Sequence, residues 1–189
     1  MRCCRRSNTK RRLVGNVKKY IPSEDETLIH IAHLFLMTQQ TEHSLSSFIG
    51  TIYPKEKPSW EEIAVLGKDT LGGLIKKLKM RADMDDRFVR LLEVFLEGRN
   101  IFVHKLTQQE WFDTTTENGR DKIWDFLESY QKYLEEIYHI VNVTILERTE
   151  KIGIPEMESL HEKLKETGYF DVIKSYSNRA RMAFKGRKQ

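Results

Sequence analysis

Arg99, Asn100 and His104 fall within one short run, Arg99-Asn100-Ile101-Phe102-Val103-His104, and are of types that move protons and hold anions. Histidine accepts and donates a proton near neutral pH, where both of its forms are populated. A guanidinium holds developing negative charge through paired N–H donors. Arg99 falls where the apolar stripe of its helix (Phe88, Leu92, Phe95, then Phe102 and Leu106) expects a leucine. A charge there is costly unless an acid pairs with it or water reaches it, and Glu42 is the candidate acid. Asn100 and His104 are four apart and share a helix face, which places the amide to orient the imidazole. Arg99 and His104 are five apart, about 140° around an ideal helix, so a regular helix does not line them up. Either the long arginine curls towards the histidine in a cleft, or a second subunit brings in another pair.

The run resembles the Arg-x4-6-His motif of the HEPN-domain proteins, in which a polar residue such as Asn often follows the Arg. Thr70-Leu71-Gly72-Gly73-Leu74-Ile75 is similar to a Thr-Leu-Gly-x-Leu-Ile segment upstream of that motif in some of these proteins. The likeness extends in helix order over roughly residues 24–150 and is close only in these two segments. It implies a helical bundle that dimerises so that two Arg/His pairs face one cleft. It implies metal-independent RNA cleavage, often in toxin–antitoxin, phage-defence or stress systems, with an antitoxin or regulatory protein as a possible partner. In that scheme His104 is the acid or base, Arg99 stabilises the phosphorane-like transition state, Asn100 orients, Lys105 contacts a phosphate, and the product is a 2′,3′-cyclic phosphate. Some HEPN proteins carry a Tyr two residues after the His that a partner nucleotidyltransferase modifies; here that position is Leu106, so that regulation finds no support.

Other reactive residue types carry less. His30 and His33 are three apart on one helix, but no third metal ligand is suggested, and a core-edge or solvated pair is expected. No Cys/His zinc spacing exists, and no metal or cofactor is expected. Gly67-Lys68-Asp69 is not a phosphate-binding loop, because the Ser/Thr after Lys and the upstream glycine spacing are missing. Trp60, Trp111 and Trp124 read as core or loop anchors, since they are not interleaved with basic residues. The cysteines are the adjacent Cys3 and Cys4, which fits a reducing, cytoplasmic setting.

The elements that must position Arg99 and His104 are helices. Four prolines and ten glycines in 189 residues leave little room for turns. Ser23 and Glu26 form a capping box that opens a helix running to about Ile49, with Leu28, Ile31, Phe35, Leu45 and Ile49 as its stripe and Thr38, Gln39 and Glu42 as a polar middle. Ser59 with Glu62 opens a second, carrying Trp60, Ile63, Leu71, Leu74, Ile75 and Leu78, which breaks near Gly67 unless another backbone packs close to its glycines. The third runs from Asp85 to about Leu106. The fourth, from about Gly119 to Lys151, repeats Ile123, Leu127, Tyr130, Leu134, Ile137 and Val141 as a bundle seam, widened by Phe126, Tyr133 and Ile140. Pro155 opens a short helix with Met157, Leu160 and Leu164 inward, and Gly168 stops it. A last helix carries Phe170, Ile173, Tyr176 and Phe184. Short connections between such helices make an all-α, up-and-down bundle of four to six helices the expected fold.

Charge divides the chain into a basic arm (1–20), a bundle (21–173) and a basic C-terminal helix or tail (174–189). Residues 1–20 carry eight Lys or Arg and no acid, and residues 174–189 carry six and no acid. The remainder has 18 basic and 28 acidic residues, a net of about −10. Basic ends bind phosphates without sequence preference, whereas an acidic body is a poor surface for RNA. No apolar run is long enough for a membrane span. Two function classes follow: a homodimeric endoribonuclease acting through Arg99 and His104, or a non-catalytic helical module that binds a protein or nucleic acid through its basic ends.

Overall fold

The computed structural model describes residues 20–52, 60–152, 166 and 168–187. Helix α1 spans Glu24–Ile52, α2 Trp60–Leu66, α3 Leu71–Arg81, α4 Asp86–Asn100, α5 Glu117–Ile152 and α6 Tyr169–Ala183. The chain is an all-α helical bundle. The basic arm up to residue 19, the Ser59 half of the second capping box and the Pro155 helix with Met157, Leu160 and Leu164 lie outside the described residues.

Helix starts follow local chemistry. At α1 the Ser23 N–H donates to Glu26 Oε2 at 2.8 Å and the Glu26 N–H donates to Ser23 Oγ at 3.2 Å, so two orphan donors are satisfied reciprocally. The chain breaks at Gly67 and restarts at Thr70, whose hydroxyl caps the Gly73 N–H at 3.2 Å. A methyl on Gly72 would meet Leu96 at 3.8 Å, an ordinary contact, so close backbone packing does not explain the glycine at this position. Asp85 caps α4 through the Arg87 N–H. At α5, Asp113 accepts from the Thr115 and Thr116 hydroxyls, and the Thr116 hydroxyl accepts from the Gly119 N–H.

α5 is the central post, packed by α1, α4 and α6. Its expected seam of Ile123, Leu127, Tyr130, Leu134, Ile137 and Val141 is buried, and so is Ile140; Tyr133, expected inward, is exposed. In α1 the inward face is rotated from the expected one. Thr27, Leu34, Thr38, Thr41, Leu45, Phe48 and Ile49 are buried, whereas Leu28 and Phe35 are exposed. The buried threonines make this face possible, because their hydroxyls donate to the carbonyls four residues back, as Thr38 does to Leu34 at 2.7 Å.

A two-stranded antiparallel sheet was not expected. Ala82–Met84 (β1) pairs with Phe184–Arg187 (β2), so the last helix stops at Ala183 and Phe184 belongs to a strand. Tertiary packing overrides the helical period here: Phe184 sits against Phe48 and Phe88, with ring centroids 4.8 and 5.0 Å away. Helix α6 also runs unbroken through residues 173 and 174, so the expected boundary there is one of charge and not of structure.

Candidate functional site

The third helix does not continue regularly to Leu106. After Asn100 it widens into a π-helical turn, Ile101–Lys105, and then tightens into a 3₁₀ turn, Leu106–Gln108. In a π turn the hydrogen bonds run from residue i to i+5, so residues five apart stand nearly above one another. This resolves the angular mismatch between Arg99 and His104. Arg99 Nη1 lies 2.7 Å from His104 Nε2. The carbonyls loosened by the change of helix type accept from side chains, that of Lys105 from Gln109 Nε2 at 3.0 Å and that of His104 from Gln108 Nε2 at 3.5 Å.

Glu42 holds Arg99 from the other side. Arg99 Nε donates to Glu42 Oε1 at 2.7 Å, and the two side chains are only 16% and 24% exposed. The acid expected from the polar middle of α1 is therefore the one found, and a fork of donors is spent half on a carboxylate and half on an imidazole. A guanidinium has donors only, so His104 Nε2 must accept in this contact.

Asn100 is exposed, and among the described residues no hydrogen bond joins it to His104; the imidazole it was expected to orient is engaged by Arg99. Lys105 is exposed beside His104.

Behind the cluster stands a group that residue spacing did not single out. Gly98, next to Arg99, faces Tyr130 so closely that a methyl there would lie 2.9 Å from the ring. Tyr130 is buried, stacked on Phe95 and Phe126 and tilted against Phe102. Its hydroxyl donates to Thr38 Oγ1 at 2.8 Å, since the Thr38 hydroxyl itself donates to Leu34. Burial pushes the Tyr130 phenol well above its ordinary range, the Thr38 bond and Arg99 oppose that and Glu42 adds to it, so Tyr130 stays neutral and serves as a wall. Thr38 on an apolar stripe and a glycine inside a helix were the visible signals for this pair; the π turn left none.

Asn100, His104 and Lys105 are exposed, while Arg99 and Glu42 are largely covered. A concavity of about 480 Å³ between α4, α5 and α6 is lined by Phe88, Leu91, Glu136 and Arg179 and includes none of Arg99, Asn100 or His104. Among the described residues no three His, Cys, Asp or Glu side chains converge as a metal centre requires. His30 Nε2 is 2.7 Å from Gln131 Oε1 and its ring meets Trp124 edge-on, a core-edge histidine, while His33 is exposed. No helix among the described residues is long and apolar enough to cross a membrane. Comparison of the chain with protein-family models, with curated proteins and with solved structures found no match.

Proposed function

We propose that the protein is a metal-independent endoribonuclease of HEPN type, acting as a homodimer in a toxin, phage-defence or stress role. The observation that carries the reading is the 2.7 Å approach of Arg99 to His104 across a π turn. Such turns recur at functional sites because they spend helix stability on side-chain placement. The ribose 2′-oxygen attacks phosphorus, the 2′-O–P bond forms and the P–O5′ bond breaks. The 2′-hydroxyl proton leaves to a base, and the 5′-oxygen takes a proton from an acid. A phosphate reaching Arg99 competes with His104 for the Nη1 donor, which frees the Nε2 lone pair to act as the base. The guanidinium, fixed by Glu42, then faces the charge that grows on the phosphoryl oxygens. Lys105 adds a second cation beside the strand.

A second reading, a non-catalytic helical interaction module, is favoured by the Glu42–Arg99 pair, which is a complete structural explanation of a half-buried arginine, and by the acidic body. In that case Arg99→Ala costs stability and no activity, because it strands Glu42.

The test is incubation of wild-type and His104→Ala protein with labelled total RNA in EDTA, followed by analysis of product ends. Cleavage by the wild type alone, leaving 2′,3′-cyclic phosphate, is the expected result. Equal cleavage by the variant, or none by the wild type at dimeric concentration, defeats the proposal.

A further inference from the structure

Helices α4 and α6 both pack on α5, and the concavity of about 480 Å³ lies between the three. At its edge the Asp85 N–H donates to the Ala183 carbonyl at 3.0 Å, which ties the start of α4 to the end of α6. The lining has two parts. Phe88, Leu91, Ile140, Met182 and Ala183 are apolar, and of these Phe88, Ile140 and Ala183 are buried. Asp85, Arg87, Glu136 and Arg179 are charged. Small-molecule sites are of this kind, about 300–1,000 Å³, with an apolar lining and a few polar groups that fix orientation. The concavity is separate from the Arg99–His104 cluster, since Arg87 precedes Arg99 by about 18 Å along α4.

We propose that this cleft binds a small monocarboxylate with an aromatic or branched apolar body. Three of its four charged groups are already committed. Asp85 Oδ1 accepts from the Arg87 N–H at 2.8 Å as the cap of α4. Arg179 Nη1 donates to Glu136 Oε1 at 3.2 Å, and its guanidinium lies 5.4 Å from the centroid of the Tyr176 ring. The Arg87 guanidinium is the fourth, and among the described residues no carboxylate pairs with it. A guanidinium presents a planar fork of donors that matches a carboxylate in two parallel hydrogen bonds. The cleft therefore offers one uncommitted anion-binding group at the rim of an apolar floor.

The charge balance sets the class of ligand. Asp85 and Glu136 share the lining with Arg87 and Arg179, so a dianion such as a phosphate ester meets two carboxylates and a cation meets two guanidinium groups. A single negative charge is met by Arg87 alone. The floor sets the rest of the molecule. A sugar or other polar body would leave hydroxyls unpaired against Phe88 and Ile140, whereas an aryl or branched alkyl group buries apolar area there. Met182, unbranched and adaptable, closes on either shape from α6. An α-amino acid fits worse, because its ammonium stands one carbon from the carboxylate that faces Arg87, and the Glu136 carboxylate is already held by Arg179. A ligand that touches α4, α5 and α6 together binds only the folded chain, so it raises stability by mass action.

The probe is hydrocinnamate, titrated into the full chain by isothermal calorimetry, with hydrocinnamide, L-phenylalanine and inorganic phosphate as comparisons. The acid should bind with a dissociation constant of about 1 mM or below, the range open to a ligand of so few atoms, and should raise the melting temperature. The amide has nearly the same shape without the charge and should bind at least about tenfold more weakly, as should phenylalanine and phosphate. Arg87→Gln keeps the backbone N–H that Asp85 accepts from, so its melt without ligand should match the wild type while affinity for the acid falls at least about tenfold. Glu136→Gln removes a like charge and releases Arg179, so affinity should rise about threefold or more. An acid that does not bind at about 10 mM, an amide, phenylalanine or phosphate that binds as tightly as the acid, or an Arg87→Gln variant that binds like the wild type overturns the proposal. Weaker binding in Glu136→Gln overturns the assignment of a lone negative charge to the ligand. No RNA is present and the Arg99–His104 cluster is untouched, so the outcome is independent of the nuclease reading.

Discussion

The segment from Phe95 to Leu106 has two sides that answer to different physics. Its inner side, Phe95, Gly98 and Phe102, closes around the buried ring of Tyr130. Its outer side holds Arg99, Asn100, His104 and Lys105, where the polar contacts run to Glu42 and between Arg99 and His104. The inner side is close-packed and leaves its polar atoms bonded, so changes there are felt as stability. On the outer side Asn100, His104 and Lys105 are exposed, so on the proposed function changes at those positions are expected to show in cleavage more than in stability. One helix serves both because the π turn shifts the outer register while Phe102 and Leu106 stay buried.

The comparison makes separable predictions. The largest effect belongs to Phe95→Ala, which empties a fully buried site against Tyr130 and should cost about 3–5 kcal/mol in denaturant unfolding. A loss under about 1 kcal/mol would mean that the inner side is not a packed core.

His104→Ala should do the opposite. A rate loss of about 10²–10⁴ is the size expected for removing an acid or base, with a melting temperature close to that of the wild type because the side chain is exposed. If His104→Ala unfolds the protein, the two sides are not independent.

Gly98→Ala is intermediate. Its methyl would press on a ring that is stacked on both sides and cannot swing away, so about 1–3 kcal/mol of destabilisation is expected. If cleavage falls as well, the inner wall positions Arg99; if only stability falls, it does not.

The smallest effect concerns the start of α5, which carries Tyr130. Hydrogen bonds from Thr115 and Thr116 hold the Asp113 carboxyl down to about 2, from an ordinary 3.8. A depressed carboxylate stabilises the fold above its unfolded pKa, and that contribution is lost as pH falls through the folded value. The melting temperature should therefore drop between pH 4 and pH 2, and drop less in Asp113→Asn. An identical acid profile in the variant would remove Asp113 from the account.

Where the sequence was legible, the cause was local. Ser23 and Glu26 cap α1 because the bonds they make span three residues. The α5 seam is buried because a repeat of three and four keeps one face turned inward over about five turns. Glu42 was legible as the partner of Arg99 because a charge on an apolar stripe demands an opposite one. Where the sequence misled, distant residues decided. The face of α1 turned away from Leu28 and Phe35 because Thr27, Thr38 and Thr41 bury cheaply once their hydroxyls return to their own helix. Phe184 left its helix for the aromatic contacts of Phe48 and Phe88.

By itself the sequence determined that the chain is helical, where most helices begin, and which side chains of one segment could do chemistry, since periodicity, caps and residue type are properties of neighbouring positions. Only the tertiary structure decided that Arg99 and His104 meet. Five residues of α-helix point them apart, and the wider turn that brings them together is held by contacts from α1 and α5 that no local pattern encodes.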